Sequence, residues 1–299
     1  MMPLLALVVV TAIWGVTFVQ VKDAVAIYPL FAFLAVRFAI ASVTLAPFAA
    51  GRFRGFDRRG LVAGVCLGGL LALGYALQTA GLERTTVSST GFITGLCVVL
   101  TPITAFLLFR DHIPAAVWVG VGLSTFGLAM LFGIEAGSTA GDVLVLGGAA
   151  AYALQIVLLE RFAPDYDPVA FTLVEMLAAC VGFTAIALAR GDLSVPRGWT
   201  VWGALLVTGV FASAFAFLVQ TWAQRELSAT RTALVFAAEP VFAGLFGFLL
   251  AGDRLGALGW AGCGLILAGI VVSEPGAARA LRRLASRPDA PGSCLRDVH

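Results

Sequence analysis

The chain has 299 residues, of which 60% are hydrophobic and only 12% are charged. Soluble domains average about 45–50% apolar and about 25% charged residues, so this composition excludes a soluble enzyme, a nucleic-acid-binding protein and a disordered regulator. The net charge of +2 gives no reason to expect a strongly basic or acidic partner. The five cysteines form no C-x-x-C pair and there are only two histidines, so neither a metal site nor a cofactor is predicted.

Apolar segments follow one another along the whole chain. Their approximate ranges are 2–21, 30–50, 61–80, 88–109, 115–134, 143–159, 169–189, 200–222, 229–250 and 255–273. A bilayer core of about 30 Å needs about 20 residues of helix, and the segments lack the alternation of barrel strands. The sequence therefore predicts an all-α integral membrane protein with ten transmembrane helices.

Arginine and lysine residues in the short loops predict the orientation of these helices. The loop over residues 51–60 reads GRFRGFDRRG, and its side of the membrane collects twelve cationic residues, those of the tail included, against five on the other side. Cytoplasmic loops carry the excess of positive charge, so both termini are predicted to be cytoplasmic.

The two halves of the sequence repeat each other. An offset of 142 residues carries Trp118, Gly120, Gly122 and Gly127 onto Trp260, Gly262, Gly264 and Gly269, and Gln78-Thr79 onto Gln220-Thr221. An offset of 138 residues carries Trp14 onto Tyr152 and Pro102 onto Pro240. We therefore predict a first five-helix repeat over residues 1–137, a second over 138–275, and a basic tail over 276–299. Because five is odd, the second repeat would enter the membrane inverted, as in many secondary transporters.

Several motifs carry a family resemblance over residues 4–273. They are Trp14-Gly15, Pro102 and Pro240, the glycines that end each half, and Ala-Glu239-Pro240-Val-Phe followed by Gly252-Asp253-Arg254-Leu255. This pattern resembles the EamA-type family of the drug/metabolite transporter superfamily. The first half departs from it, since Thr101-Pro102 lacks the glutamate and Arg110-Asp111-His112 lies four residues closer to its proline. The resemblance implies ten helices and export of small metabolites, such as amino acids, across a bacterial inner membrane.

Four ionisable residues fall within the predicted spans: Arg37, Glu175, Arg231 and Glu239. Such residues are candidates for a functional site, because a charge is costly in lipid. Glu239, near the midplane, is interpreted as a proton carrier, an anchor for a substrate amine, or a structural carboxyl. Arg37 and Glu175 differ in depth by about 10 Å, so the sequence favours Arg231 as the partner of Glu175. For both arginines, snorkelling or packing is the favoured interpretation.

Polar and aromatic side chains near mid-depth are the candidate substrate-binding residues. They are Trp14, Thr17, Tyr75, Gln78, Tyr152, Gln155, Phe217 and Gln220, together with Glu239. Aromatic faces with amide and hydroxyl groups suit an amphipathic solute, although ordinary packing explains such stripes equally well. Pro102 and Pro240 free the carbonyls of Val98 and Phe236, which predicts hinges or static kinks at matching depth.

The sequence thus predicts a secondary transporter that exports small metabolites by alternating access, with apolar or aromatic amino acids or amphipathic drugs as candidate substrates. A passive facilitator or channel and, less favoured, a lipid-modifying membrane enzyme are the alternatives. No G-x-S-x-G, H-E-x-x-H or G-x-x-x-x-G-K-[ST] motif occurs, so neither enzyme activity nor direct use of ATP is predicted. The expected partners are a small-molecule substrate and the lipid bilayer, without nucleic acid. The glycine rows suit helix packing within a monomer or in a homodimer.

Overall fold

The computed structural model of the protein describes residues 2–133, 139–251 and 256–274. Within these ranges all regular structure is helical. The α-helices are α1 (Met2–Val25), α2 (Leu30–Ala49), α3 (Arg58–Leu82), α4 (Val87–Gly95), α5 (Cys97–Phe109), α6 (Ala115–Phe132), α7 (Thr139–Phe162), α8 (Pro168–Arg190), α9 (Trp199–Gly209), α10 (Ala216–Ala223), α11 (Ala229–Phe236), α12 (Glu239–Phe246) and α13 (Ala257–Ser273). The Gly252-Asp253-Arg254-Leu255 motif and the predicted tail over 276–299 lie outside the described residues.

Eight helical stretches are long and apolar enough to cross a membrane. They are Leu30–Ala49, Arg58–Leu82, Ser89–Phe109, Ala115–Phe132, Thr139–Asp165, Pro168–Arg190, Trp199–Ala223 and Ala229–Leu249. The first and last predicted spans correspond to two shorter apolar helices, Met2–Thr17 and Ala257–Ser273. A multi-pass, all-α membrane protein is therefore confirmed, whereas the count of ten spans and their inverted arrangement stay predictions.

Two of the long stretches are interrupted near a proline. Between α11 and α12 the helix breaks at Ala237 and Ala238, immediately before Pro240, which cannot donate a hydrogen bond to the Phe236 carbonyl. Between α4 and α5 the break lies at Leu96, six residues before Pro102, which is inside α5. The break therefore lies farther from the proline in the first half than in the second, and hinges or kinks at Pro102 and Pro240 stay a prediction. In the first half the break follows Gly95, against which the Leu128 side chain of α6 packs.

α6 and α13 cross through the duplicated glycines. A Cβ atom on Gly127 would lie 2.6 Å from the carbonyl oxygen of Gly262, and a Cβ atom on Gly120 would lie 2.5 Å from that of Gly269. In the reverse direction, a Cβ atom on Gly262 would lie 2.5 Å from the Gly127 carbonyl oxygen, and one on Gly269 would lie 2.6 Å from that of Gly120. The backbones of the two helices therefore touch at both points. Such close approach is possible only without side chains. These glycines therefore serve packing within the chain.

Many of the other contacts between helices join the first half of the chain to the second. α1 packs against α9 to α12, α2 against α8 and α9, α3 against α7 and α8, and α5 against α7 and α11. Phe38 of α2 and Phe183 of α8 are fully buried at the centre of this packing, with ring centroids 5.0 Å apart. The interior is thus built from both halves together.

Polar contacts between loops divide the ends of the helices into two faces. On the first, Arg52 pairs with Asp167 at 3.2 Å and Arg161 pairs with Asp111. On the second, the Tyr28 hydroxyl donates to the Ser194 carbonyl at 2.6 Å. We call the first the arginine-rich face, comprising the loops around residues 50–57, 110–114, 163–167 and 224–228. That this face is cytoplasmic stays a prediction from the arginine count.

Candidate functional site

Four predicted aromatic residues from four helices come together at mid-depth. Trp14 of α1 lies with its ring centroid 5.9 Å from that of Phe217 in α10, and Tyr75 of α3 lies 5.6 Å from Tyr152 of α7. Phe38, which the sequence analysis did not single out, joins the two pairs at 6.1 Å from Phe217 and 6.5 Å from Tyr75. We call these five residues the aromatic cluster. Trp14, Tyr75 and Tyr152 are only half-buried although they lie mid-helix, so part of each side chain is accessible.

Gln78 fixes one side of the aromatic cluster. Its Oε1 atom accepts a hydrogen bond from the Tyr152 hydroxyl at 3.2 Å, and its Nε2 atom donates to the Thr94 hydroxyl at 2.9 Å. Because these residues belong to α3, α7 and α4, one amide side chain ties three helices together beside the interrupted span. Gln78 is half-buried and keeps its second N–H for another acceptor.

A π-helical turn over Val210–Phe215, between α9 and α10, forms the opposite side. The Ala212 carbonyl of this turn accepts hydrogen bonds from Trp14 Nε1 at 2.8 Å and from Arg37 Nη2 at 3.1 Å. Arg37 Nε also donates to the Ser213 hydroxyl at 2.7 Å, and Arg37 is only 6% exposed. A π-helical turn alters the backbone hydrogen bonding locally and occurs often at functional sites. Arg37 therefore packs and does not snorkel. The sequence analysis missed the turn and Ser213, because no residue pattern marks them.

Glu239 begins α12 directly after the break in its span. Its side chain is half-buried, and within the described part of the chain its carboxylate accepts no hydrogen bond. It lies within electrostatic range of Arg37, Tyr75 and Tyr152. The Glu239 carboxyl thus lies close enough to the two tyrosines of the aromatic cluster for its charge to act on them, and its contact with a substrate stays a prediction.

Three predicted site residues lie outside the aromatic cluster. Gln155 and Gln220 are 2% and 1% exposed, and Gln220 Nε2 donates to Gln155 Oε1 at 3.3 Å. Gln155 Nε2 in turn donates to Glu175 Oε1 at 2.7 Å, so these amides form a buried network one helical turn beyond Tyr152 and Phe217. The Thr17 hydroxyl donates to the Trp14 carbonyl of its own helix at 3.0 Å and is buried.

The predicted partnership of Arg231 with Glu175 is wrong. Arg231 forms a salt bridge with Glu274, at the end of α13 on the arginine-rich face. Glu175 instead contacts Gln155, because it projects from α8 towards α7 while Arg231 projects from α11 towards α13. The sequence predicts a similar depth in the membrane for Glu175 and Arg231, but the two side chains project towards different helices.

Asp57 lies at the arginine-rich face, in the loop before α3 and outside the membrane spans. Asp57 Oδ1 accepts hydrogen bonds from the Gly60 amide and the Tyr166 hydroxyl, both at 2.8 Å. These bonds, the backbone bond first, hold the pKa of the Asp57 carboxyl below its usual value. Desolvation and the neighbouring Asp57 raise the pKa of Tyr166. The pair caps α3 and joins the loop before it to the loop between α7 and α8.

No group of three or more His, Cys, Asp or Glu side chains that could hold a metal ion occurs in the described ranges. The groups present at the site are aromatic faces, a carboxyl, an amide and the phenol groups of two tyrosines.

Comparison with known proteins finds relatives that are named as transporters. The model of the EamA-like transporter family matches twice, over residues 1–133 and 139–273. An uncharacterized transporter of Archaeoglobus fulgidus is 31% identical over 90% of this chain and 84% of its own length. The uncharacterized inner membrane transporter YedA of Escherichia coli is 26% identical over 89% of each chain.

A solved crystal structure shares the fold. It superimposes with a TM-score of 0.77 over 92% of this chain and 97% of its own, at 18% identity. The family model covers nearly the whole helical region, in two copies that divide it between α6 and α7. This protein belongs to the EamA-like transporter family.

Proposed function

We propose that this protein is a secondary transporter that exports small amphipathic metabolites, with apolar and aromatic amino acids as the favoured substrates. The proposal includes its place in a bacterial inner membrane, with both termini cytoplasmic. The names of the relatives and the family point to a transporter rather than an enzyme. One observation supports the choice of substrate: the Glu239 carboxylate lies within electrostatic range of Tyr75 and Tyr152, whose side chains are half-buried.

These groups complement the parts of an amino acid. Glu239 attracts the α-ammonium group, and the aromatic cluster offers apolar surface to the side chain. The free N–H of Gln78 is a donor for the α-carboxylate, and it lies next to the Tyr152 hydroxyl. An acidic or basic substrate side chain would lose its hydration against the aromatic faces without a partner, so such substrates are disfavoured.

Alternating access is the proposed mechanism. The family model matches each half separately, and the aromatic cluster contains residues of both halves. Spans with interrupted hydrogen bonding bend more readily than continuous helices. Three such spans surround the site, namely those with the breaks at Leu96 and at Ala237-Ala238 and the one with the π-helical turn. Two halves inverted against each other would exchange their positions around a fixed site.

Counterflow in liposomes tests the proposed substrate class. The purified protein is reconstituted with a high internal concentration of one unlabelled amino acid, and entry of the same labelled amino acid is followed for each member of a panel. We expect transient accumulation for phenylalanine, tryptophan, leucine and methionine, and none for aspartate or lysine. Equal entry of all of them, or of none, would contradict the proposal. Net movement that only equalises an imposed gradient, unaffected by a protonophore, would instead identify a passive facilitator.

A further inference from the structure

A second carboxyl, apart from the aromatic cluster, has a different environment. We propose that Glu175 is a proton-binding site of this protein, which takes up and releases one proton in each transport cycle. The inference rests on the proposed function as a secondary transporter and adds the identity of the coupling ion. Its location is α8, between α7 and α10, on the side of the aromatic cluster that is nearer the arginine-rich face.

The Glu175 carboxyl is fully buried, and only one of its two oxygen atoms forms a hydrogen bond with a described residue. The residue is 0% exposed, and Oε1 accepts a hydrogen bond of 2.7 Å from Gln155 Nε2. The Oε2 atom is buried and has no hydrogen-bond partner among the described residues. A buried carboxylate without a counter-ion is strongly unfavourable, whereas the neutral acid is tolerated. The enclosed arrangement therefore accommodates the protonated form of Glu175.

None of the described cations compensates the Glu175 charge. Along its span, α2 contributes one ionisable group, Arg37, which is bound to the π-helical turn. Within its span, α3 contributes Cys66 and Tyr75. The span of α7 contributes Asp142, Tyr152 and Glu160, and α10 contributes no ionisable group. Four further arginines lie at the ends of these helices, and none of them forms a salt bridge with Glu175. They are Arg58 and Arg59 at the start of α3, Arg161 at the end of α7 and Arg190 at the end of α8.

The neighbouring groups favour a proton over a metal cation. A metal cation such as Na⁺ or Ca²⁺ needs several oxygen atoms that converge on one point. Here Gln155 presents an N–H to Glu175, and the two oxygens of Gln155 and Gln224 already accept from Gln220 Nε2, at 3.3 and 3.0 Å. Gln224 Nε2 donates to the Ile156 carbonyl at 2.8 Å, which fixes the direction of the whole network. One carboxyl with an amide donor beside it suits a proton.

The same network connects Glu175 with the protein surface and with the aromatic cluster. Gln224 is followed directly by Arg225 and Glu226, which line a cavity of about 300 Å³ with Pro164 and Trp222. Gln155 lies one turn after Tyr152 on α7, and Gln220 one turn after Phe217 on α10. A change at Glu175 thus bears directly on the two helices that carry two of the five residues of the aromatic cluster, Tyr152 and Phe217.

The proposed step is a simple acid–base equilibrium. A hydronium ion in water that enters from the arginine-rich face gives its proton to the Glu175 carboxylate: one O–H bond of the hydronium breaks, an O–H bond forms at Oε2, and a neutral water molecule is left. The enclosed conformation keeps the acid neutral. Release requires a conformation in which α7, α8 and α10 separate enough for water to solvate the carboxylate. Proton binding would therefore favour one conformation of the cycle, which is how a gradient drives transport.

Glu175→Gln separates proton coupling from substrate movement. Wild-type and variant proteins are reconstituted in liposomes that contain a pH-sensitive dye, with the membrane potential clamped by valinomycin and potassium. An equimolar mixture of labelled apolar amino acids is the probe for exchange and for substrate-driven proton movement. We expect Glu175→Gln to exchange the probe within about twofold of wild type and to lose proton movement by at least about tenfold, since the amide cannot take up a proton.

Two further variants serve as controls. Glu175→Asp should regain part of the proton movement, because it restores a titratable carboxyl. Glu160→Gln changes another carboxyl, which accepts from the Ala229 amide, and should leave both activities unchanged. Undiminished proton movement in Glu175→Gln would overturn the inference, and so would movement of the wild type driven by Na⁺ instead of protons.

A spectroscopic measurement tests the site without any substrate. The infrared difference spectrum between wild type and Glu175→Gln at neutral pH should contain the C=O band of one protonated carboxyl. Absence of this band would overturn the inference even if the protein transports amino acids. Conversely, a protein that shows the band but exchanges none of the amino acids would contradict the proposed substrates and leave the proton site intact.

Discussion

The α6–α13 pair and the aromatic cluster represent two ways in which the halves of this protein meet. α6 and α13 touch through glycines that occur at the same positions of both halves, and the contact is reciprocal at Gly120–Gly269 and Gly127–Gly262. The aromatic cluster also joins both halves, but its chemistry is unequal. In the sequence repeat, Glu239 occupies the position equivalent to Thr101, and Glu175 occupies the position equivalent to Arg37.

This difference shows which features the repeat retains. Close backbone packing depends on the absence of side chains, so both copies need glycine at the same places. Binding of one asymmetric solute needs different groups at related positions, so the copies differ there. The predictions below alter one region at a time, beginning with the largest expected effect.

Gly127→Val should destabilise the fold most. The new side chain would collide with the Gly262 carbonyl, and overpacking of this kind typically lowers the melting temperature of a protein of this size by about 10 °C. Gly122→Val is the matched control, because no described atom lies within 4 Å of a Cβ at this exposed position. Melting followed by size-exclusion chromatography in detergent measures both. Equal losses in the two variants would show that the glycine contact is not what holds α6 to α13.

Glu239→Gln should leave the fold intact and reduce amino-acid exchange by at least about tenfold, since a neutral amide attracts the substrate ammonium group far less. Thr101→Val, at the equivalent position of the first half, is the control. Its hydroxyl donates to the Cys97 carbonyl and contacts the Cys97 sulfur at 3.7 Å, both within its own helix. Counterflow rates and melting temperatures are compared. If the two variants exchange equally well, the unequal chemistry of the halves has no part in substrate binding.

Trp14→Phe should reduce exchange by about fivefold, as expected for the loss of one hydrogen bond to a neutral acceptor. The indole N–H that donates to the Ala212 carbonyl would be lost, while the aromatic face would remain. Trp118→Phe, on a side chain that is 42% exposed, controls for the change of ring size. An unaltered exchange rate in Trp14→Phe would mean that the bond to the π-helical turn is dispensable.

Asp57→Asn should have the smallest effect, confined to stability and its dependence on pH. Because the folded protein lowers the pKa of Asp57, its contribution is present above the ordinary aspartate pKa and is lost as the pH falls through the lower, folded value. Asparagine still caps α3 but carries no charge. We therefore expect melting curves of the variant to be less sensitive to acid below about pH 4 than those of wild type, and transport at neutral pH to be unchanged. Identical acid sensitivity would contradict the role of Asp57.

Much of the scaffold could be predicted from the sequence. Each predicted apolar segment coincides with helical structure, because the length of an apolar run is itself the physical requirement for crossing a bilayer. The duplicated glycines predicted close packing, which the structure locates between α6 and α13. For the site, depth and helix periodicity selected Trp14, Tyr75, Tyr152 and Phe217 as candidates; the structure brings these side chains together, and their contact with a substrate stays a prediction. Those quantities depend on position along one helix alone.

The partners of the polar residues were decided by the tertiary structure. The sequence favoured Arg231 for Glu175, whereas the structure pairs Arg231 with Glu274 and Glu175 with Gln155. It gave no indication that Arg37 and Trp14 would share the carbonyl of a π-helical turn. Composition determines that a segment is helical and how deep a residue lies. The rotation of each helix about its axis, and hence which groups face each other, follows only from packing all the helices together, since one extra residue in a turn rotates everything after it by about 100°.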